Sequence, residues 1–286
     1  MTRRTTAALA CLALAAGLTA CSSDEPSGPE RISITPVKDG ATSGLNPLGD
    51  GTRATVAGYT MDAVRLPGAT ATGEVSFRIL DRSGTPLTDY TPEQTKLLHL
   101  YVVRDDLAQF RHVHPELGSD GTWRGRVDLG VPGRWRVVAE FIPEGAERPV
   151  VLGTTLRVAG AWKPEPVPEG DAAGTSDDGV VQVGLLGAGE VGTNGRLRVA
   201  ITSTDGEPLA LGSYLGATAH LTGFAVGTRG FVHVHPLGAP EVTDDGTVLT
   251  FHTTFEQPGP YRMFVQVRVD GMLHQVAVTA TVNSHA

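Results

Sequence analysis

Two short strings decide how this chain is read: His112-Val113-His114-Pro115 and His233-Val234-His235-Pro236. Each has one more histidine upstream at the same distance, His99 lying 13 positions before His112 and His220 lying 13 positions before His233. Six of the 9 histidines in the chain therefore fall in two matched triplets. The matching extends outward. Gly84-Thr85-Pro86-Leu87 answers to Gly206-Glu207-Pro208-Leu209, and Pro132-Gly133-Arg134-Trp135-Arg136 answers to Pro258-Gly259-Pro260-Tyr261-Arg262. A period this long is a domain duplication and not a solenoid repeat.

The flanking sequence predicts strands. Val75 to Leu80 alternates apolar and polar residues and runs into the turn signal Asp81-Arg82-Ser83-Gly84. Leu97 to Val103, Phe110 to His114, Gly121 to Leu129, Arg134 to Phe141 and Val150 to Val158 continue the series in the first half. With 36 glycines and 19 prolines in 286 residues, short strands joined by turns are favoured over long helices. The predicted fold class is all-β: two tandem immunoglobulin-like or cupredoxin-like β-sandwich domains, residues 53–160 and 180–286. Residues 161–179, rich in Pro, Glu, Gly and Asp, read as the linker between them.

The N-terminus reads as an export signal. Arg3 and Arg4 precede a mostly apolar run, Ala7 to Ala20, too short for the ~20 residues of a spanning helix. That run ends in Leu18-Thr19-Ala20-Cys21, which resembles a bacterial lipobox. The resemblance implies a signal peptide over residues 1–20, lipidation of Cys21, and an extracytoplasmic protein held to the cell membrane by that lipid. Residues 21–52 read as a disordered tether. Cys11 leaves with the leader, so the mature globular part has no thiol for a disulfide, a blue-copper centre, an iron–sulfur cluster or a Cys-type zinc site. A net charge of −8 with no basic stripe argues against nucleic acid as a partner.

In a strand, residues i and i+2 share a face, about 6.6–6.8 Å apart. His112 and His114 can therefore converge on one ion, and His99 on the preceding strand can add a third nitrogen. The equal 13-residue spacing in both halves implies a fixed ladder register, because a slip of one residue would send the upstream ring to the wrong face. Three imidazoles and no sulfur suit Cu(II), Zn(II) or Ni(II), with copper bound tightest. The expected metal ligands are His99, His112 and His114 in one half and His220, His233 and His235 in the other, as two sites or as one shared site. The competing reading is structural. Phe110 and Phe231 share parity with the His-x-His pairs, so the rings could simply be buried and hydrogen-bonded on a core face. His252 and His274 occur only in the second half, with Arg126 at the place of His252. Tyr101 shares strand parity with His99, and Glu116 follows the first motif. Trp135 and Tyr261 read as core aromatics.

The pattern of a His-Leu strand, then His-x-His-Pro, then Pro-Gly-x-Tyr/Trp-Arg resembles a family of secreted proteins and lipoproteins from high-GC Gram-positive bacteria. It is also similar to YtkA-like domains, small extracytoplasmic Ig-like modules associated with copper or other metals. These resemblances cover about residues 70 to 283 and imply a β-sandwich. Gly230-Phe231-Val232-His233-Val234-His235 resembles the His-Val-His copper ligands of copper–zinc superoxide dismutases. The cysteine pair and the zinc loop of those enzymes have no match here, so dismutase activity is not expected. No phosphate loop, nucleophile elbow or His-Glu-x-x-His helix is present. The sequence reads as a metal-binding or metal-delivery module and not as an enzyme, with a non-metal envelope scaffold as the alternative.

Overall fold

A computed structural model describes residues 46–69, 72–170, 172–232 and 234–284, with the side chains of 193, 194 and 235 outside that set. The expected signal peptide and its Cys21, most of the expected tether, His233 and His285 lie outside the described residues. Among the described residues no helix is long and apolar enough to cross a membrane.

The described chain is all-β. Its first half contains β1 (Thr55–Val56), β2 (Tyr59–Arg65), β3 (Thr72–Leu80), β4 (Tyr90–Thr91), β5 (Leu98–Arg104), β6 (Phe110–Val113), β7 (Glu116–Leu117), β8 (Thr122–Asp128), β9 (Gly133–Pro143) and β10 (Val150–Val158). The second half contains β11 (Ala173–Thr175), β12 (Val181–Leu185), β13 (Gly189–Glu190), β14 (Gly192–Ser203), β15 (Ala219–Ala225), β16 (Phe231–Val232), β17 (Val234–Pro236), β18 (Glu241–Thr243), β19 (Gly246–Phe255), β20 (Gly259–Val269) and β21 (Met272–Asn283). In the first sandwich, sheet β1-β2-β3-β8-β7 faces sheet β10-β9-β5-β6; in the second, β11-β12-β14-β19-β17 faces β13-β21-β20-β15-β16. These are the two Ig-like sandwiches expected from the repeat.

The repeated motifs have repeated physical jobs. Gly84 and Gly206 take φ of 82° and 86° in the turns that end β3 and β14, a conformation costly for residues with a Cβ. Pro86 and Pro208 then bridge back to Leu80 and Thr202. At the start of β9 and β20, buried Trp135 and Tyr261 each reach back four residues. Trp135 Nε1 donates to the Val131 carbonyl at 3.3 Å, and Tyr261 Oη donates to the Gln257 carbonyl at 2.8 Å. Both rings sit in their own sandwich cores.

β5 is buried at every position. Leu98, Leu100 and Val102 point into the first core. On the opposite face Tyr101 and Val103 join Phe110, Val138, Phe224, Phe231 and Phe264 in a third apolar cluster shared by both halves. Phe110 stacks on Phe264 with ring centres 4.3 Å apart and planes 8° apart. The face that carries Phe110 and Phe231 is thus an interface between two sandwiches, a third option beside solvent face and core face.

Two segments read as loose in the sequence are fastened. Residues 46–52, assigned to the tether, run along β10: Leu48 bridges Val150, and the Asp50 carbonyl accepts from Phe231 N–H at 2.7 Å. Gly153 makes this approach possible, since a Cβ there would stand 1.9 Å from the Gly51 carbonyl oxygen. Residues 161–179, read as linker, contain β11, and their first part is anchored to the first sandwich. Arg104, 4% exposed, forms ion pairs with Asp106 and Glu165, and its guanidinium lies 6.0 Å from the centre of the Trp162 ring. Hydrophilic composition concealed these contacts because polar side chains and backbone, not apolar ones, make most of them.

Candidate metal centre

The His-x-His-Pro string stands where the chain leaves one sheet for the other. β6 pairs with β5 through Tyr101↔His112 and Leu100↔Val113. Pro115 has no N–H to extend that ladder, and β7 then pairs with β8 across the sandwich. β16 and β17 repeat the crossing, pairing with β15 and β19. The ladder ends one residue earlier than expected, at Val113, which leaves the His114 side chain free to turn toward its neighbours.

The first triplet is brought together. His99 Nδ1 lies 3.0 Å from His112 Nε2, His114 Nε2 lies 3.2 Å from His99 Nδ1, and His114 Nε2 lies 3.1 Å from His112 Nε2. These nitrogens form a nearly equilateral triangle and make up a group able to hold a metal ion. An ion ~2.0–2.1 Å from each would stand about 1 Å out of their plane, the arrangement of three facial ligands.

The outer nitrogens set the tautomers of His99 and His112. His99 Nε2 is 3.1 Å from the Glu93 carbonyl oxygen, which can only accept, so this nitrogen carries the proton and Nδ1 keeps its lone pair. His112 Nδ1 is 2.9 Å from Gln266 Oε1, which accepts in the same way and leaves Nε2 with a lone pair. Two lone pairs facing each other at 3.0 Å repel unless something positive lies between them. A proton on His114 Nε2 can meet that demand, and so can a cation. Burial, reinforced by the neighbouring His99 ring, holds His112 well below the usual imidazole range and His114 down to about 3. At neutral pH these two rings are uncharged, the form in which imidazole binds metal.

The second half repeats part of this construction. His220 Nε2 lies 2.8 Å from the Tyr214 carbonyl, six residues upstream, as Glu93 is of His99. Both carbonyls belong to tight two-residue turns: Gln94 and Thr95 take φ of 45° and 69°, and Leu215 and Gly216 take 52° and 80°. Non-glycine residues in that region are strained, and the bridges Glu93↔Lys96 and Tyr214↔Ala217 that close these turns hold the carbonyls that face the rings. His220 is buried and held down to about 4 by that burial. It does not sit apart in its own half. Its ring is 5.9 Å from the His112 ring, across the interface. His235 lies opposite His252 in the β17–β19 ladder; its side chain and all of His233 are outside the described residues.

Tyr101 borders the triplet, its ring 4.6 Å from His112 and 4.9 Å from Phe231, and its hydroxyl donates to Glu140 Oε2 at 2.9 Å. Burial, aided by Glu140, raises its phenol well above the usual range and keeps it a donor. Glu140 and Gln266 are site residues that sequence reading missed. Both stand opposite the upstream histidine in their ladders, His99↔Glu140 and His220↔Gln266. A charged or amide residue inside the apolar runs of β9 and β20 was the available signal. A cavity of about 20 Å³ beside His99, Tyr101, Glu140 and His220 has room for about one water molecule. Other candidates lie elsewhere: Arg126 pairs with Glu74 in the outer sheet, Glu116 is exposed, and buried His274 contacts Asp178 at 2.8 Å.

The chain belongs to the family described as a domain of unknown function, DUF8832, which it matches twice, over residues 54–158 and 174–284. No curated protein matches it. Among solved structures it is similar to invasin, titled a bacterial integrin-binding protein, at 13% identity over 79% of this chain and 39% of that one, with a TM-score of 0.23. InvD of Yersinia pseudotuberculosis is matched at 11% identity over 77% of this chain and 54% of that one, TM-score 0.23. The tandem Ig domains of titin are matched at 15% identity over 79% of this chain and 99% of that one, TM-score 0.19. The chain thus spans about 39% and 54% of the first two, and likeness at this level assigns no partner or activity.

Proposed function

We propose that this protein is an extracytoplasmic metal-binding module, anchored to the membrane by lipid at Cys21, whose first histidine triplet takes Cu(II) or another borderline divalent ion. It binds or hands on the ion and does not turn over a substrate. One observation carries the reading: three imidazoles converge within 3.0–3.2 Å, two of them with their outer nitrogens committed to acceptors. Rings that only braced loops would spend their nitrogens on separate partners, whereas these spend one each on each other. Three nitrogen donors without sulfur favour Cu(II) over the other divalent ions of the first transition row. The leader and lipobox support the location, and the His-x-His-Pro resemblance to YtkA-like domains agrees with the metal.

The test is elemental analysis of the purified mature protein with Cu(II) and Zn(II) titration, beside a His112→Ala/His114→Ala chain. The expected result is one tightly held ion that the double variant loses. Equal metal content in both proteins would end the reading. A second reading, a scaffold module, is favoured by the aromatic cluster that joins the two sandwiches; it would then stand alone.

A further inference from the structure

We propose that Gln266, from the second sandwich, is a positioning residue for the metal centre of the first, so that metal affinity depends on the docking of the two halves. The inference rests on the metal-binding reading above and adds to it a residue 154 positions from the ligand it serves.

Gln266 is 4% exposed in the middle of β20, and a buried amide needs partners for both its ends. Its Nε2 lies 3.1 Å from Gln275 Oε1, and Gln275 Nε2 lies 3.4 Å from the Phe110 carbonyl oxygen. A backbone carbonyl can only accept. Gln275 must therefore turn its amino group to Phe110 and its oxygen to Gln266. Gln266 in turn donates to Gln275 and is left with its own oxygen facing His112. The orientation of both amides follows from that chain. His112 accordingly carries its proton on Nδ1 and keeps Nε2 bare, as a metal ligand requires. Reversing the Gln266 amide would place the imidazole proton on Nε2, among the other ligand nitrogens. The relay begins at a first-sandwich carbonyl, runs through two second-sandwich side chains and returns to a first-sandwich ring. Partners outside the first ring of ligands fix tautomer and basicity in this way, and losing one typically weakens metal affinity 10–100-fold.

Within this chain the matching ladder position holds a carboxylate, Glu140, which supplies the conservative test. In full-length mature protein, Gln266→Met is expected to weaken Cu(II) or Zn(II) binding about 10–100-fold. Gln266→Glu, still able to accept from Nδ1–H, is expected to bind as tightly as the parent or tighter. Nitrogen-15 NMR of metal-free protein is expected to show His112 protonated on Nδ1 in the parent and in Gln266→Glu, and a mixed tautomer in Gln266→Met. Both variants lose the bond that Gln266 donates to Gln275, so stability does not separate the readings; a merely structural glutamine would leave the His112 tautomer the same in the parent and both variants. Affinity of Gln266→Met within twofold of the parent, or a parent His112 protonated on Nε2, would overturn the inference. Failure of the parent to bind either ion would instead overturn the metal-binding reading, with the NMR comparison still deciding whether Gln266 sets the tautomer.

Discussion

The two sandwiches share a backbone plan and differ on the face where they meet. Their ladders align position by position: His99 with His220, Tyr101 with Thr222, Val138 with Phe264, Glu140 with Gln266, Trp135 with Tyr261. The upstream histidine and the turn that pins it are the same in both. The residues around it are not. The first half presents a phenol and a carboxylate, the second a threonine and an amide, and the larger apolar residue is Phe264 in one half against Val138 in the other. Duplication preserved what positions a ring, while divergence built two faces that complement each other. A copy docked on an identical copy would set Glu140 toward the place now filled by Gln266, and the His112 ring would meet a carboxylate in place of an amide.

If that asymmetry is energetic, matched substitutions must give unequal results. Phe264 is 2% exposed and stacks on Phe110, so Phe264→Ala is expected to cost about 3–5 kcal/mol. Val138→Ala, at the matching position, removes two methyl groups and is expected to cost about 2 kcal/mol at ~0.8 kcal/mol each plus a small cavity. Urea unfolding of the two variants measures the difference. Equal losses would mean that the stacked pair adds nothing beyond its neighbours.

Acid offers a second comparison. His220 is held at about 4 and His114 at about 3 in the folded chain, both by burial first, against about 6.5 when unfolded. The unfolded chain therefore binds more protons as pH falls below about 6.5, and stability drops until the folded values are passed. Below pH 4 the His220 part of this loss is about 3 kcal/mol. His220→Gln is expected to make the stability–pH curve less steep between pH 6.5 and 4, the slope that remains there and its continuation below pH 4 belonging to His112 and His114. A curve unchanged by the substitution would show that His220 is not buried in its neutral form.

The histidine pattern made the convergence of His99, His112 and His114 legible, because strand periodicity converts a spacing of two into a shared face and a constant 13-residue offset into a constant register. The turn at Asp81-Arg82-Ser83-Gly84 was legible for the same local reason. The contact between the halves was not read, although Leu98-His99-Leu100-Tyr101-Val102-Val103 lacks the alternation of a strand with one wet face. Such a run says that both faces are covered and not by what. Gln266 and Gln275 escaped for a deeper reason. Their contacts with His112 and Phe110 join strands some 150 positions apart, and no local rule gives that distance. The anchoring of residues 46–52 escaped because it rests on backbone groups and on the absence of a side chain at Gly153.

That absence gives a sharper test of how the first sandwich holds its N-terminal segment. Gly153→Ala places a methyl group against the Gly51 carbonyl, and relief requires residues 46–52 to lift from β10. Overpacking of this kind is expected to cost about 1–3 kcal/mol. The loss should be accompanied by faster amide exchange at Leu48 and Phe231, whose N–H groups donate to Pro149 and Asp50 across this segment. Unaltered exchange at both would mean that the segment is not held by close approach.

The smallest effect belongs to the paired aromatic corners. Tyr261→Phe keeps the ring in the second core and removes only its hydrogen bond to the Gln257 carbonyl. The expected loss is about 0.5–1.5 kcal/mol. In the first half the same corner is closed by Trp135 through a longer bond to Val131, and Trp135→Phe gives up both that bond and the outer ring of a fully buried indole. A cavity then adds to the lost bond, so the first-half substitution should cost clearly more. Equal losses in the two variants would show that the corner is held by its hydrogen bond alone; the ordering predicted here requires ring volume to dominate, since the geometry of the reach-back is common to both halves.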